Sequence, residues 1–239
     1  MASVTNGKRL RYRTYVDGFD ENLGGGIPQG HITIVAGAAG TMKSSFTYHI
    51  LHMNAKRDGI NALYVSLEQN KTSLQRQMES LGLKGETLGR LEVLDLGEIK
   101  RKSDGAQFLD TFRFAINETK KRLNYEILVI DSMGALEMIS NTPRPREEAY
   151  RLFEWLRSME ITVFIINEMP VGPYTSYGLH ESDFLADGII HLKMVDVSDT
   201  EVQRRIRCVK MRETEHSTNY FSFFRNEKGF AVTRAITDF

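Results

Sequence analysis

The segment Gly37-Ala-Ala-Gly40-Thr-Met-Lys43-Ser44-Ser45 combines two glycines, small side chains, one lysine and adjacent hydroxyls. Small residues let backbone N–H groups close around phosphate oxygens, and a helix starting there adds its partial positive charge. In that chemistry Gly37, Ala38, Ala39, Gly40, Thr41, Met42 and Ser45 form the cradle. Lys43 neutralises β- and γ-phosphates, and the Ser44 hydroxyl ligates Mg²⁺. One position departs from the pattern G-x-x-x-x-G-K-[ST]: Met42 stands where it has glycine. If the backbone takes positive φ at Met42, the side chain costs about 1 kcal/mol or more. The competing reading is an ordinary glycine-rich turn between a strand and a helix.

Three other apolar runs end in polar groups. Ile127-Leu-Val-Ile130 leads into Asp131-Ser132, the Walker B arrangement, in which Asp131 binds Mg²⁺ through water. A helix cap or loop carboxylate would look the same. Tyr64-Val-Ser-Leu-Glu68-Gln69 places Glu68 where a carboxylate, one water from a γ-phosphate, orients or deprotonates that water. The alternative is an exposed glutamate that starts a helix. Thr162-Val-Phe-Ile-Ile-Asn167-Glu168 offers Asn167 as a hydrogen-bonding sensor of the γ-phosphate, although polar residues end most strands.

These groups need elements to hold them. His31–Ala36, Ala62–Ser66, Leu91–Leu94, Ile127–Ile130 and Thr162–Ile166 read as short apolar strands. Between them, helices are predicted over Lys43–Asp58, Thr72–Leu81, Ala106–Leu123 and Arg146–Met159. Strands alternating with helices of this size give right-handed crossovers and a mostly parallel sheet covered on both faces. The carboxyl ends of such strands line one crevice, where ligands bind. The last third changes character. Gly188–Met194, Arg204–Met211, Tyr220–Phe224 and Phe230–Arg234 read as antiparallel strands on one edge. Asn226-Glu-Lys-Gly229 reads as a hairpin turn. The fold class is therefore α/β. Residues 1–14 form a polar, basic, flexible arm, and 15–239 one domain.

Composition narrows the function. The chain has 239 residues, 41% hydrophobic and 26% charged, which excludes a wholly disordered, collagenous or coiled-coil protein. Lys plus Arg and Asp plus Glu both total 31, without the basic excess typical of a nucleic-acid coat. A local basic patch, and with it nucleic-acid binding, stays open. The one cysteine, Cys208, forms no intramolecular disulfide, in keeping with a reducing compartment. No apolar run reaches the roughly 18–20 residues of a membrane helix. The N-terminus lacks the apolar stretch of a secretory signal. A cytoplasmic location, away from membranes, is expected.

Taken in order, these motifs resemble a KaiC-like single-domain ATPase of the RecA/RadA/DnaB superfamily. The likeness rests on Gly18-Phe-Asp-Glu-Asn-Leu-Gly24-Gly-Gly-Ile-Pro-Gln-Gly30, the phosphate loop, Leu67-Glu68, Ile130-Asp131-Ser132 and Lys210-Met-Arg212-Glu-Thr-Glu-His216. It runs from about Tyr15 to the C-terminus. The resemblance implies a RecA-like P-loop core, ATP and Mg²⁺ as ligands, and a homo-oligomer, such as a hexameric ring, with ATP between subunits. Lys43, Ser44, Glu68 and Asp131 would serve one face, and Lys210 and Arg212 the γ-phosphate of the neighbour. A regulatory or signalling role with a protein partner follows from the same likeness. Gln69 departs from it, since KaiC typically has a second glutamate there. A non-hydrolysing ATP sensor or assembly scaffold and a DNA-binding recombinase paralogue are the alternatives.

Other residues have structural readings. The six histidines show no metal-ligand pattern. His49 and His52 share a helix face, Trp155 falls on a core face, and Cys208 reads as packing. Lys120-Lys-Arg122 suits a helix C-terminus. Arg204-Arg205 reads as a solvated face, and Tyr174–Gly178 as a mobile loop.

Overall fold

Ile32–Gly37 (β1) is buried along its entire length, because both faces of the sheet it centres are covered. Ile32, Ile34 and Ala36 point to one side and Val35 to the other, the period-2 alternation of a strand. The computed structural model describes residues 4–5, 8–84, 87, 89–97, 105–140, 144–169 and 181–235.

The other strands are β2 (Ala62–Ser66), β3 (Leu91–Asp95), β4 (Ile127–Asp131), β5 (Thr162–Glu168), β6 (Gly188–Asp196), β7 (Val202–Met211), β8 (Phe221–Asn226) and β9 (Gly229–Arg234). They form a nine-stranded sheet in the order β9-β8-β7-β6-β1-β5-β4-β2-β3. The helices are α1 (Lys43–Arg57), α2 (Lys71–Ser80), α3 (Gly105–Leu123), α4 (Met133–Ser140) and α5 (Pro145–Ser158). Phe46, Ile50 and Leu51 of α1, with Leu74 and Met78 of α2, cover one face beside Phe221, Phe223 and Phe230. Phe108, Phe112, Leu136, Leu152 and Leu156 of α3, α4 and α5 cover the other.

Most predicted elements lie within a residue or two of their observed bounds. The exceptions have physical causes. β6, expected in the antiparallel edge, pairs parallel with β1 from Gly188↔Thr33 to Leu192↔Gly37, and antiparallel with β7. It is buried over its first five residues, so its pattern alone could not distinguish a central strand from an edge one. α4 was not predicted; it follows Asp131 directly and is only eight residues long. The Asn226–Gly229 turn closes the β8–β9 hairpin as expected.

In the stretch predicted as an arm, Arg11–Tyr12 pairs with Ile27–Pro28. The buried Tyr12 donates its hydroxyl to Glu126 at 2.9 Å. Arg11 donates to the carbonyls of Leu23 and Gly26 at 3.2 and 2.9 Å. His49 and His52 are buried in α1, and Cys208 is buried in β7. Trp155 is partly buried against the α3–α5 core. The Tyr174–Gly178 loop lies outside the described residues.

Candidate nucleotide site

The end of β1 meets the start of α1 in a tight loop. A Cβ at Gly37 would sit 2.3 Å from the Leu192 carbonyl oxygen and 2.8 Å from Thr41 Oγ1, so β6 can approach only a glycine here. Gly40 has φ +82°, and Met42 has φ +73° in the left-handed region. The strain foreseen at Met42 is therefore present. Met42 occupies the N-cap of α1 without a side-chain cap, so it satisfies none of the first-turn N–H groups. Buried Thr41 donates Oγ1 to the Ala38 carbonyl at 2.8 Å and braces the loop.

Beside this loop is a cavity of about 330 Å³. Ala39, Gly40, Met42, Lys43, Ser44, Ser45, Glu68 and Asp131 all line it, as the sequence led us to expect. Strand periodicity explains the convergence. Asp131 shares the face of Ile127 and Val129, the face α1 covers. Asp131 accepts hydrogen bonds from Ser44 and from the buried Tyr64 hydroxyl. The sequence reading missed Tyr64, which lies two residues before Ser66 on the same strand face. The Asp131–Ser132 peptide is cis. Ser132 in turn donates its hydroxyl to Glu68.

Asn167 is corrected. Ile166 and Glu168 line the cavity from β5, and Asn167 does not. Alternation puts Asn167 on the opposite face, so the γ-phosphate sensing assigned to it has no geometric support. Glu168 is the group the sequence reading passed over, although Ile166 and Glu168 share a face by the same rule. Its Oε1 lies 3.6 Å from Lys43 Nζ, and Lys43 also donates to the Ala38 carbonyl at 2.9 Å.

The electrostatics are those of a site with unresolved charge. Burial pushes the Asp131 carboxyl up, against the hydrogen bonds of Tyr64 and Ser44. Burial likewise pushes the Lys43 ammonium down, despite Glu168, Asp131 and Glu68 nearby. A hydroxyl beside a buried carboxylate is a hard oxygen donor set, which fits Mg²⁺. Among the described residues no group of three His, Cys, Asp or Glu is arranged to hold a metal by itself. A cation here would thus need oxygen ligands beyond these side chains.

Lys210 and Arg212 lie elsewhere. β7 runs antiparallel to β6, so Lys210 pairs with Ile189, which pairs with Ile34 near the start of β1. The two cations are at the end of the sheet opposite the phosphate loop, and cannot serve the loop of their own chain. Lys210 donates to the carbonyls of Asp183 and Ala186 at 3.0 and 2.7 Å. Arg212 donates to Asp187 at 2.9 Å and to the Phe184 carbonyl at 3.3 Å.

A parallel sheet extended by antiparallel strands, with a lysine-bearing loop between a buried strand and a helix, defines a RecA-like P-loop nucleotide-binding core. A family model described as "ATPase: KaiC" matches residues 12–235. The chain belongs to the KaiC family of ATPases. It is 30% identical to the circadian clock protein KaiC2 of Synechocystis over 231 residues, covering 93% of this chain and 40% of that protein. A UPF0273 protein of Thermotoga maritima is 27% identical, with 93% of this chain and 95% of that protein covered. The crystal structure of a KaiC-like protein from Pyrococcus horikoshii superposes with a TM-score of 0.79 at 28% identity, over 95% of this chain and all of that one. The chain thus spans less than half of KaiC2 but nearly all of these two shorter relatives. No helix among the described residues is long and apolar enough to cross a membrane.

Proposed function

We propose that this chain binds ATP with Mg²⁺ in the cavity beside Lys43 and hydrolyses it between subunits of a homo-oligomer. The observation that carries this reading is the division of the candidate residues. Lys43, Ser44, Glu68 and Asp131 converge on one cavity, while Lys210 and Arg212 sit at the opposite end. A ring or filament that stacks one end on the other reunites them. The loop amides and Lys43 hold the phosphates, and Ser44 and Asp131 hold Mg²⁺. Held there, Mg²⁺ would supply charge neutralisation for the phosphates. Glu68 takes a proton from the attacking water as its oxygen bonds to the γ-phosphorus. The bond from phosphorus to the bridging oxygen breaks, and ADP leaves. Lys210 and Arg212 of the adjacent copy offset the charge of transfer, an effect worth about 10³–10⁵ in rate for such arginines. A conformational output fits a cytoplasmic regulatory or signalling role.

The test is ATP hydrolysis against protein concentration with Mg²⁺, for wild type and Arg212→Ala. Specific activity should rise with concentration and collapse in the variant. Activity that ignores both would sink the trans-acting assignment. One observation favours a second reading, an ATP-binding sensor without turnover: Met42 is strained and lines the cavity. That reading predicts silent wild type that still binds ATP, with hydrolysis appearing in Met42→Gly.

A further inference from the structure

On the sheet face turned away from α1, β6 and β7 bring together basic side chains that the nucleotide site does not use. His191 is the direct cross-strand partner of Arg207, and Lys193 of Arg205. Residues two apart on a strand share a face, so the four form a block about 5 Å across the strands and 7 Å along them. Tyr220 fits against it. The Lys193 ammonium lies 4.0 Å and the Arg207 guanidinium 4.6 Å from the centre of its ring. Its hydroxyl is 2.8 Å from His191 Nδ1, which fixes the ring.

The arrangement crowds like charges while removing water from them. Lys193, Arg205, Arg207 and Tyr220 are all half-buried. Arg207 Nε is buried without a hydrogen-bond partner among the described residues. Burial, then Arg205 and Arg207, push the Lys193 ammonium below the ordinary lysine value. Burial, then Arg207 and Lys193, push His191 down to about 4. No carboxylate among the described residues offsets the Lys193 shift. Asp196, on the same strand, falls on the opposite face by alternation. Two cations held against one aromatic ring, with a guanidinium N–H unspent, are positioned to receive an anion.

We infer that this cluster is a second anion site, in which Lys193 and Arg207 bind a phosphate group on the face of β6 and β7 opposite α1. The sheet itself lies between this cluster and the Lys43 loop. The size of the block selects the ligand. One tetrahedral oxyanion spans it, and a phosphate presents several acceptors to a guanidinium fork and an ammonium together. A nucleic-acid strand instead needs cations repeated along its length, and this is one compact block.

The probes are inorganic phosphate and pyrophosphate, titrated calorimetrically at low ionic strength without Mg²⁺. The proteins are wild type, Lys43→Ala and Lys193→Met/Arg207→Met. Lys43→Ala should keep one class of pyrophosphate binding that weakens with salt. The double variant should lose that class, at least about tenfold in affinity for the charge-assisted bonds removed. Melting curves guard against misfolding. Without anion at low salt, the double variant should melt no lower than wild type, because its like-charge crowding is gone. Added pyrophosphate should then raise the melting temperature of Lys43→Ala, and should raise that of the double variant less than that of wild type. If the double variant does not fold, Lys193→Met alone carries the comparison. The inference is overturned if Lys43→Ala abolishes all binding, or if the double variant binds and melts as wild type does. Binding of a 12-nucleotide single strand at these residues, with none of pyrophosphate, would equally overturn it in favour of a nucleic-acid strand.

Discussion

The two ends of the sheet treat buried charge in opposite ways. At the loop end, Lys43 and Asp131 are both pushed away from their charged forms by burial. At the far end, buried Asp187 is also pushed up by desolvation. There Arg157, the Ile32 amide and Arg212 outweigh it and hold the carboxyl below its usual value. Arg157 donates to Asp187 at 2.9 Å, Arg212 at 2.9 Å, and the Ile32 N–H at 3.0 Å. One end is pre-organised but electrostatically incomplete, as a site awaiting a phosphate and a cation would be. The other is internally satisfied and locks β1 to the Asp187 turn. Arg212 belongs to the satisfied end, so reaching a neighbour's phosphate requires it to leave Asp187. Arg157 remains to hold the carboxylate, which keeps that exchange inexpensive.

The contrast predicts that changes at the loop end cost function, and changes at Asp187 cost stability. Lys43→Ala should lower ATP turnover about 10³-fold or more, by loss of the main phosphate charge. Its melting temperature without nucleotide should be unchanged or higher, because a buried ammonium is gone. A large drop in that melting temperature would break the comparison.

Asp187→Asn should reverse the pattern. Breaking a buried pair costs about 3–5 kcal/mol, but both arginines are about half exposed, so we expect about 2 kcal/mol in urea unfolding. At this chain length that is roughly 4–8 °C in melting temperature. ATP affinity measured at a temperature where the variant is folded should stay near wild type.

The smallest effect is a difference in pH response. His49, buried in α1, is held down to about 4 from 6.5, chiefly by desolvation. Its folded pKa is depressed, so the unfolded chain takes up the proton first, and stability falls as pH drops below 6.5 toward 4. From pH 6.5 to 5.5 its share is about 1 kcal/mol. Asp187 responds in a lower window. Its stabilisation is complete above the ordinary value of 3.8 and is lost as pH falls through its depressed pKa. Urea unfolding at several pH values should show the first loss reduced in His49→Gln and the second absent in Asp187→Asn. His191 contributes in the same range as His49, so the reduction should be partial.

Much of this was legible in the sequence. Mostly apolar runs of four to six residues, each followed by a helical pattern, mark strands buried on both faces. Lys43-Ser44 after such a strand marks the loop, and Asp131 after Ile127–Ile130 marks a second wall of the cavity. The errors arose where a sequence gives residue order but not facing. Asn167 and Glu168 are equally plausible polar ends of β5, and only the side of the sheet on which α1 packs selects Glu168. Tyr64 looked like an ordinary strand aromatic until α1 placed Ser44 and Asp131 around its hydroxyl.

The sequence by itself determined the local chemistry. It set which strands are buried, where α1 begins, which residue would be strained at the cap, and which residues could bind phosphate. These follow from hydrophobic period, glycine freedom and side-chain type, all properties of short segments. Only the tertiary structure decided what depends on pairing between distant segments. It made β6 a parallel neighbour of β1, and so turned β7 to carry Lys210 and Arg212 to the far end. The same pairing stacked Lys193 and Arg207 onto Tyr220 and set Asp187 between two arginines. Strand register and direction are fixed by the packing of the whole sheet, and no segment encodes them alone.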